Sequence, residues 1–349
     1  MSELRHDNLQ SLGWRPFFQA QLSDDLPETI RPARVCAAHR SRIELLGDGV
    51  PDAVDRSSDV AVTVGDWILV DTEGPRLHRV LDRLGAFKRR AAGVESVRQL
   101  IAANVDTLFV VTSANRDFNI ARLERYLAIA FEAGAFPVIV ITKTDLVESV
   151  AEFRQQAAAL SPGVIVECLD ARDEHQVQVL RNWCERGQTV ALLGSSGVGK
   201  STLINTLTSG HQETRAVRED DQRGRHTTTS RSMHPLPDGG WLIDTPGMRE
   251  LQLVDMAEAL DEVFVEVAEL AEQCRFSDCA HETEPGCAIQ AAIAAGTLDA
   301  DRLKRYRKLL SEDRRNTETV AERRSRDRSL GKFYKSVLAG KQREKGNEN

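Results

Sequence analysis

The chain has 349 residues, 41% of them hydrophobic and 28% charged, with a formal net charge of −7. That length exceeds what one core usually serves, so two or three domains are expected in a protein of ordinary globular composition. No apolar run approaches the roughly 20 residues of a membrane-spanning helix, and "MSELRHDNLQSLGW" has no apolar signal core, so a cytoplasmic protein with reduced cysteines and no membrane partner is expected.

Residues 1–30 are polar and irregular and are expected to form a flexible arm. Short strands follow to about residue 88. "ARVCAAHRSRIELL" reads as a hairpin, and "VTVGDWILVDTEG" as a strand entered through Gly65-Asp66 and left through Gly74-Pro75. Several short strands between turn signals point to a small β-barrel. The basic stretch "GAFKRRAAG" (85–93) reads as a hinge. Trp67 and Phe87 read as core residues rather than base-stacking ones.

From 89 to 253 strands and helices alternate. "VDTLFVVTS", "PVIVIT", "GVIVEC", "QTVALLG" and "GGWLIDTPG" are strands. "RLERYLAIAFEAG", "AEFRQQAAAL", "HQVQVLRNWCERG" (175–187) and "KSTLINTLT" are helices. The alternation predicts a parallel sheet covered on both faces.

Three elements in this region carry chemistry. The strand "PVIVIT" runs into Thr142, Lys143, Thr144 and Asp145. A carboxylate at Asp145 can accept two N–H bonds from a guanine edge, a donor pair adenine lacks, while the Lys143 stem can cover the ring. Further on, Gly194, Ser195, Ser196, Gly197, Val198, Gly199, Lys200, Ser201 and Thr202 fit G-x-x-x-x-G-K-[ST] between a strand and a helix. Glycines let backbone N–H groups curl around phosphate oxygens; Lys200 reaches the β- and γ-phosphates, and Ser201 ligates Mg²⁺. Third comes Asp244-Thr245-Pro246-Gly247, where Asp244 holds Mg²⁺ through water and the Gly247 N–H senses the γ-phosphate. Between the last two lies "GRHTTTS" (224–230), in which Thr228 or Thr229 is a further Mg²⁺ ligand.

A charged, helix-rich segment closes the chain. Cys274, Cys279, His281 and Cys287, spaced C-x4-C-x-H-x5-C, form a Cys₃His set of the kind that closes a structural zinc tetrahedron. Residues 301–349 hold 16 Lys/Arg against 8 Asp/Glu, a balance of +8 that leaves −15 for the remainder. A basic tail on an acidic body suggests a polyanionic partner.

In order, "ITKTDL", "GSSGVGKST", "GRHTTT", "DTPGMRE" and "CRFSDCAHETEPGCA" resemble the bacterial ribosome small-subunit-dependent GTPase A family, the circularly permuted GTPases of the translation-factor-related class. The likeness spans most of the chain. It implies an α/β protein: an N-terminal β-barrel of the OB-fold (31–88), a permuted P-loop GTPase domain (89–253), and a C-terminal helical zinc-binding domain with a basic tail (254–349). It further implies GTP hydrolysis stimulated by the small ribosomal subunit, late in that subunit's maturation. The implied partners are GTP and GDP, 16S rRNA and the assembly factors of the subunit; the implied cofactors are one structural zinc and Mg²⁺ with GTP. A monomer is expected.

Two positions depart from the family pattern. Thr142 stands where Asn is commoner, and a hydroxyl replaces only part of an amide's bonding, so weaker base affinity is expected. The element that follows the next strand, usually Ser-Ala, is Asp170-Ala171, with the Ala171 N–H as the base contact. Met248 follows Gly247, where many GTPases carry a water-orienting glutamine, and a thioether cannot take that role. His226 is the nearest polar substitute in sequence. Two other readings remain: an ATP-using P-loop kinase, which nucleotide competition separates, and an RNA-binding scaffold with a structural nucleotide site, which turnover separates.

Overall fold

The run Thr107-Leu108-Phe109-Val110-Val111-Thr112-Ser113 is buried at every position, as a strand with both faces covered must be. In the computed structural model, which describes residues 9–56, 60–90, 98–208, 231–244 and 254–317, this run is β8 (Thr107–Ser113), the middle of the five parallel strands. It pairs in parallel with β9 (Phe136–Thr142) and with β11 (Thr189–Gly194). β10 (Ile165–Cys168) lies outside β9, and β13 (Trp241–Asp244) outside β11, both again parallel. Side chains alternate between two cores, as period-two geometry requires. Leu108, Val110, Ile139, Ile141 and Leu193 face one; Phe109, Val111, Val138, Val140 and Leu192 face the other.

Helices cover both faces. α2 (Ile120–Glu132) is capped by Asn119, whose side chain accepts from the Arg122 N–H, and buries Leu123 and Leu127 in the first core. On that side lie also α3 (Ala151–Ala158), α6 (Ala257–Val263), α7 (Val265–Glu272) and α9 (Ala300–Thr317), which contribute Ala157, Leu260, Val267 and Leu303. α5 (Lys200–Leu207) covers the second core with Leu203, Ile204 and Leu207. The stretch expected as one helix over 175–187 divides into the single turn α4 (Glu174–Val177) and a 3-10 segment, Gln178–Trp183.

A strand that the sequence pattern does not show extends the sheet. β12 (Arg231–Pro235) runs antiparallel to β13 and pairs on its other side with β1 (Ile30–Ala38), through Ala37 opposite Ser232 and Ala38 opposite Arg231. The N-terminal strands therefore join the central sheet. They are β1, β2 (Arg42–Leu46), β3 (Ala53–Asp55), β4 (Trp67–Asp71) and β5 (Arg76–Val80), ordered β3-β2-β1-β4-β5 with every pairing antiparallel. They enclose a separate core of Ala33, Val35, Ile43, Leu45, Val54, Ile68 and Val70. Of the stretch read as a hinge, the described part is instead a strand: β6 (Ala86–Arg90) pairs with β7 (Arg98–Ala103), and Phe87 is buried, as is Trp67.

Residues 9–22 lie against this junction. The single turn α1 (Pro16–Gln19) seats Phe18 beside Trp67, and Trp14 meets Trp67 edge-on at 4.7 Å. Arg34, on β1, is fully buried and donates to Leu12 O, Thr189 Oγ1 and Asn104 O, joining the N-terminal arm, the β1–β5 strands and the central sheet. Burial pushes its guanidinium down to about 10, with the Asp106 carboxylate opposing, so it stays charged at neutral pH.

The C-terminal helices are fixed to α2 by a second buried cation. Arg302 donates to Glu124 Oε1 at 2.8 Å, to Glu266 of α7 at 2.6 Å, and to the carbonyls of Leu160 and Val263 at 2.8 Å each. The Arg305 Nε–H is shared between the two Glu124 carboxylate oxygens, at 2.9 Å each. The Glu124 side chain is completely buried. Breaking a buried ion pair by removing one partner leaves an uncompensated charge. Glu124→Ala should therefore lower stability in urea titrations by about 3–5 kcal/mol, while Lys304→Ala, which opens only the exposed pair with Asp301, should leave the transition where it is.

Candidate functional site

The loops that leave β9, β10, β11 and β13 emerge from one edge of the sheet, because those strands are parallel. Ligands of open α/β sheets bind at such carboxyl edges, where the order of strands reverses. Here the reversal falls at β8: the chain moves outward to β9 and β10, then returns to place β11 on the other side.

The loop after β11 is Gly194–Gly199. A Cβ at Gly194 would lie 2.2 Å from Val111 O, so only glycine permits the paired backbones to approach. Gly199 precedes α5 with φ +94, a left-handed conformation that glycine adopts at no steric cost. The Lys200 ammonium donates to the carbonyls of Gly194, at 2.7 Å, and Ser195. Ser201 and Thr202 follow in the first turn of α5.

The Thr142–Asp145 loop is bound to this loop directly. Thr142 is fully buried, and its hydroxyl lies 2.6 Å from Val198 O and 3.0 Å from Thr112 O. One hydroxyl proton serves two carbonyls. That is the physical content of the departure from Asn, whose amide would supply two protons. Lys143 sits at φ +57, a left-handed position for a non-glycine residue, and Thr144–Leu146 forms a 3-10 turn that leaves Asp145 at the surface.

The third loop joins the other two. Ala171 O accepts from Thr206 of α5 at 2.7 Å, and Arg172 bridges Asp145 and Asp170, at 2.7 and 2.9 Å. The guanidinium and backbone N–H of Arg172 hold the Asp170 carboxyl below the usual carboxylate range. Asp244 ends β13 exposed at the same edge. The structure thus brings Thr142–Asp145, Asp170-Ala171 and Gly194–Thr202 together. His226, Thr228, Thr229 and Gly247 lie outside the described residues.

Two residues here escape motif reading. Arg122, in the first turn of α2, donates to Ser195 Oγ in the phosphate-type loop across 73 positions of sequence. Arg172 reaches Asp145 across 27. Neither occupies a fixed place in a motif, and only the pairing of strands brings them in.

The Cys₃His set also converges. Cys274 Sγ lies 3.9 Å from Cys287 Sγ, and His281 Nδ1 lies 3.5 and 3.6 Å from these two sulfurs. The four donor atoms, Cys279 included, fall within 4.8 Å of one another. A zinc tetrahedron with bonds of about 2.3 Å to sulfur and 2.0–2.1 Å to nitrogen has donor–donor edges of roughly 3.6–3.8 Å, so the donor set fits that ion. Among the described residues no other group of three or more such side chains converges in this way. Glu284 orders the knuckle, accepting from the N–H groups of Ala280, Glu282 and Thr283. Cys287 caps α8 (Ala288–Ala294) by accepting from Gln290 N–H.

Comparison with known proteins gives consistent results. A family model described as RsgA GTPase matches residues 80–254. A Vibrio parahaemolyticus protein described as small ribosomal subunit biogenesis GTPase RsgA 2 is 51% identical over 339 residues, covering 96% of this chain and 94% of that one. A Mesorhizobium japonicum protein described as small ribosomal subunit biogenesis GTPase RsgA is 50% identical over 317 residues, covering 89% and 91%. The crystal structure of YjeQ from Thermotoga maritima aligns with a TM-score of 0.62 at 24% identity, covering 81% of this chain and 98% of that one. YloQ, described as a circularly permuted GTPase, aligns with a TM-score of 0.59 at 23% identity, covering 85% and 99%.

The Thr142 hydroxyl makes a separable contribution. Thr142→Val keeps the shape but removes the hydroxyl that bonds Val198 O and Thr112 O, which should cost about 1–3 kcal/mol of stability. Thr142→Asn supplies both protons and should match or exceed the wild-type affinity for guanosine diphosphate. Calorimetric titration of the two variants checks this; equal affinities would show that the hydroxyl does not hold the loops together.

Proposed function

The chain belongs to the RsgA GTPase family and is a GTP hydrolase by that membership; from that premise we propose that it acts on the small ribosomal subunit, hydrolysing GTP to GDP and phosphate when bound to it, late in the subunit's maturation. The observation that carries the nucleotide part is the union of the Thr142–Asp145 and Gly194–Thr202 loops at one sheet edge through Thr142 and Val198. The names of its relatives support the particle.

In this reading the Lys200 ammonium leaves its loop carbonyls for the β- and γ-phosphates, and the N–H groups from Ser195 to Thr202 surround the polyphosphate. Asp145 accepts from the guanine edge, Lys143 covers the ring with its stem, and the Ala171 N–H contacts the base. Ser201, with Thr228 or Thr229, offers hydroxyl oxygens to Mg²⁺, and Asp244 reaches it through water; oxygen donors of this kind suit a hard cation. Bound Mg²⁺ would neutralise charge on the phosphates. The Gly247 N–H senses the γ-phosphate, and His226 orients the attacking water. One zinc per chain, held by Cys274, Cys279, His281 and Cys287, is structural, since four protein ligands leave no open position.

RNA contacts would come from three places: the β1–β5 barrel, read as an OB-fold; the β6–β7 pair with Lys88 and Arg89; and the basic residues after 301. Phosphate neutralisation by such groups is salt-dependent. The β-barrel, the GTPase region and the zinc-bearing helices are read as the domains 31–88, 89–253 and 254–349, acting as a monomer on 16S rRNA and its assembly factors.

Turnover of GTP with and without purified small subunits, and with ATP as competitor, tests the proposal. Hydrolysis should rise strongly with the particle and fall with salt, and ATP should not compete. Turnover indifferent to the particle leaves a scaffold, and equal competition by ATP leaves a kinase-type site. At saturating small subunits His226→Ala should slow turnover roughly a hundredfold or more, the range for a group that acts on the attacking water; a wild-type rate removes His226 from the mechanism. Elemental analysis should find one zinc per chain. Cys279→Ser should lose the metal and small-subunit binding while GDP affinity holds within about twofold, because, among the described residues, none of the four metal donors belongs to the Thr142–Asp145 or Gly194–Thr202 loops or shares a hydrogen-bond partner with them.

A further inference from the structure

The Arg172 guanidinium spans the two carboxylates beside the third loop. Its Nη2 lies 2.7 Å from Asp145 Oδ2 and 2.9 Å from Asp170 Oδ2. Its Nε lies 3.1 and 3.3 Å from the two Asp170 oxygens, and its backbone N–H donates to Asp170 Oδ1 at 3.0 Å. Asp170 thus anchors the residue through backbone and side chain, whereas Asp145 is held by the Nη2 tip alone. The Arg172 side chain is 66% exposed and that of Asp145 31%, so the tip can let go of Asp145 without disturbing a core.

The chemistry of the two possible donors is alike. The recognised edge of guanine, N1–H and the amino group on C2, is a guanidine fragment. Arg172 offers a carboxylate the same N–C–N array of N–H donors, with a full positive charge. Both need the same acceptor. On the reading of Asp145 as the base-edge acceptor, we propose that Arg172 competes with guanine for Asp145 and so sets guanine-nucleotide affinity. Bound guanine shifts the guanidinium wholly onto Asp170. As the base withdraws, the Nη2 tip re-engages Asp145, so the carboxylate does not lose its donors all at once. The residue is an affinity-setting one, and its effect falls mainly on release.

Binding and release of N-methylanthraniloyl-GDP by the full chain test this, with Arg172→Ala and Arg172→Lys each made alone and with Asp145→Asn. The Asn amide suits xanthosine diphosphate, which has a carbonyl where guanine has the amino group, so the double variants are measured with that ligand. Arg172→Ala should bind GDP roughly two- to fivefold more tightly at low ionic strength, as expected for losing an exposed competing ion pair. The gain should come chiefly from slower release and should shrink as salt screens the pair. Arg172→Lys, a point charge without the fork, should fall between. In the Asp145→Asn background Arg172→Ala should change xanthosine diphosphate affinity little. If Asp145→Asn does not move preference from guanosine to xanthosine diphosphate, the base-edge reading fails and the competition with it. If preference does move, but Arg172→Ala leaves GDP binding unchanged or weaker, or gives an equal gain when combined with Asp145→Asn, the competition alone is overturned. An unchanged melting temperature in Arg172→Ala separates either result from misfolding.

Discussion

Parallel pairing of β8 with β9 on one side and β11 on the other is the constraint on which the site rests. Parallel neighbours end at the same edge, so any loops that follow them meet there whatever their order in the chain. The Thr142 hydroxyl then closes the gap by bonding Val198 O in the loop after β11 and Thr112 O at the end of β8. That the Thr142–Asp145 loop precedes the Gly194–Gly199 loop by some 50 residues is therefore no obstacle to their meeting. Sheet pairing specifies neighbours, and the linking segments can be cut and rejoined where their ends are exposed.

Two buried guanidinium groups hold the remaining parts against this sheet. Arg34 joins the N-terminal arm, the β1–β5 strands and β11, and Arg302, on α9, joins α2, α6, α7 and the end of α3. Each is costly to desolvate, so each persists only where several acceptors converge. That requirement fixes relative placement more sharply than apolar contact, which tolerates sliding. One consequence concerns α2. Its first turn touches the phosphate-type loop through Arg122 and Ser195, and the next turn carries Glu124 and Arg125, bound to Arg302, Arg305 and Glu312. The C-terminal helices are thus connected to the loop around Lys200 by one rigid element, in addition to the chain that leads out of β13.

Much of the central region was legible because its signals are local. The fully apolar strands, the glycines at 194, 197 and 199, and the Cys-Cys-His-Cys spacing from 274 to 287 each express a requirement met within a short local stretch. β12 was not legible. Of Arg231-Ser232-Met233-His234-Pro235, only Met233 is buried, so the strand exists through its backbone partners on two sides and not through its own pattern. The stretch 85–90 misled for a related reason. Its basic residues suggested a linker, yet Phe87 is drawn into the core and the backbone finds β7. The arm likewise looked unstructured, because the Trp14–Phe18–Trp67 contacts that seat it span some 50 residues of sequence.

The sequence by itself determined which groups are present and how each local segment folds: a glycine-rich strand–helix turn, a strand ending in Thr-Lys-Thr-Asp, four metal-type donors in one short loop. Those depend on backbone geometry and on donor chemistry, which travel with the residues. Only the tertiary structure decided that the N-terminal strands join the sheet through β12, that a threonine hydroxyl ties the two loops, and that Arg122 and Arg172 come to them. Those outcomes depend on which strands lie side by side and on which carbonyls and carboxylates converge around a buried or bridging cation. Such convergence is a property of three-dimensional placement that no spacing along the chain records.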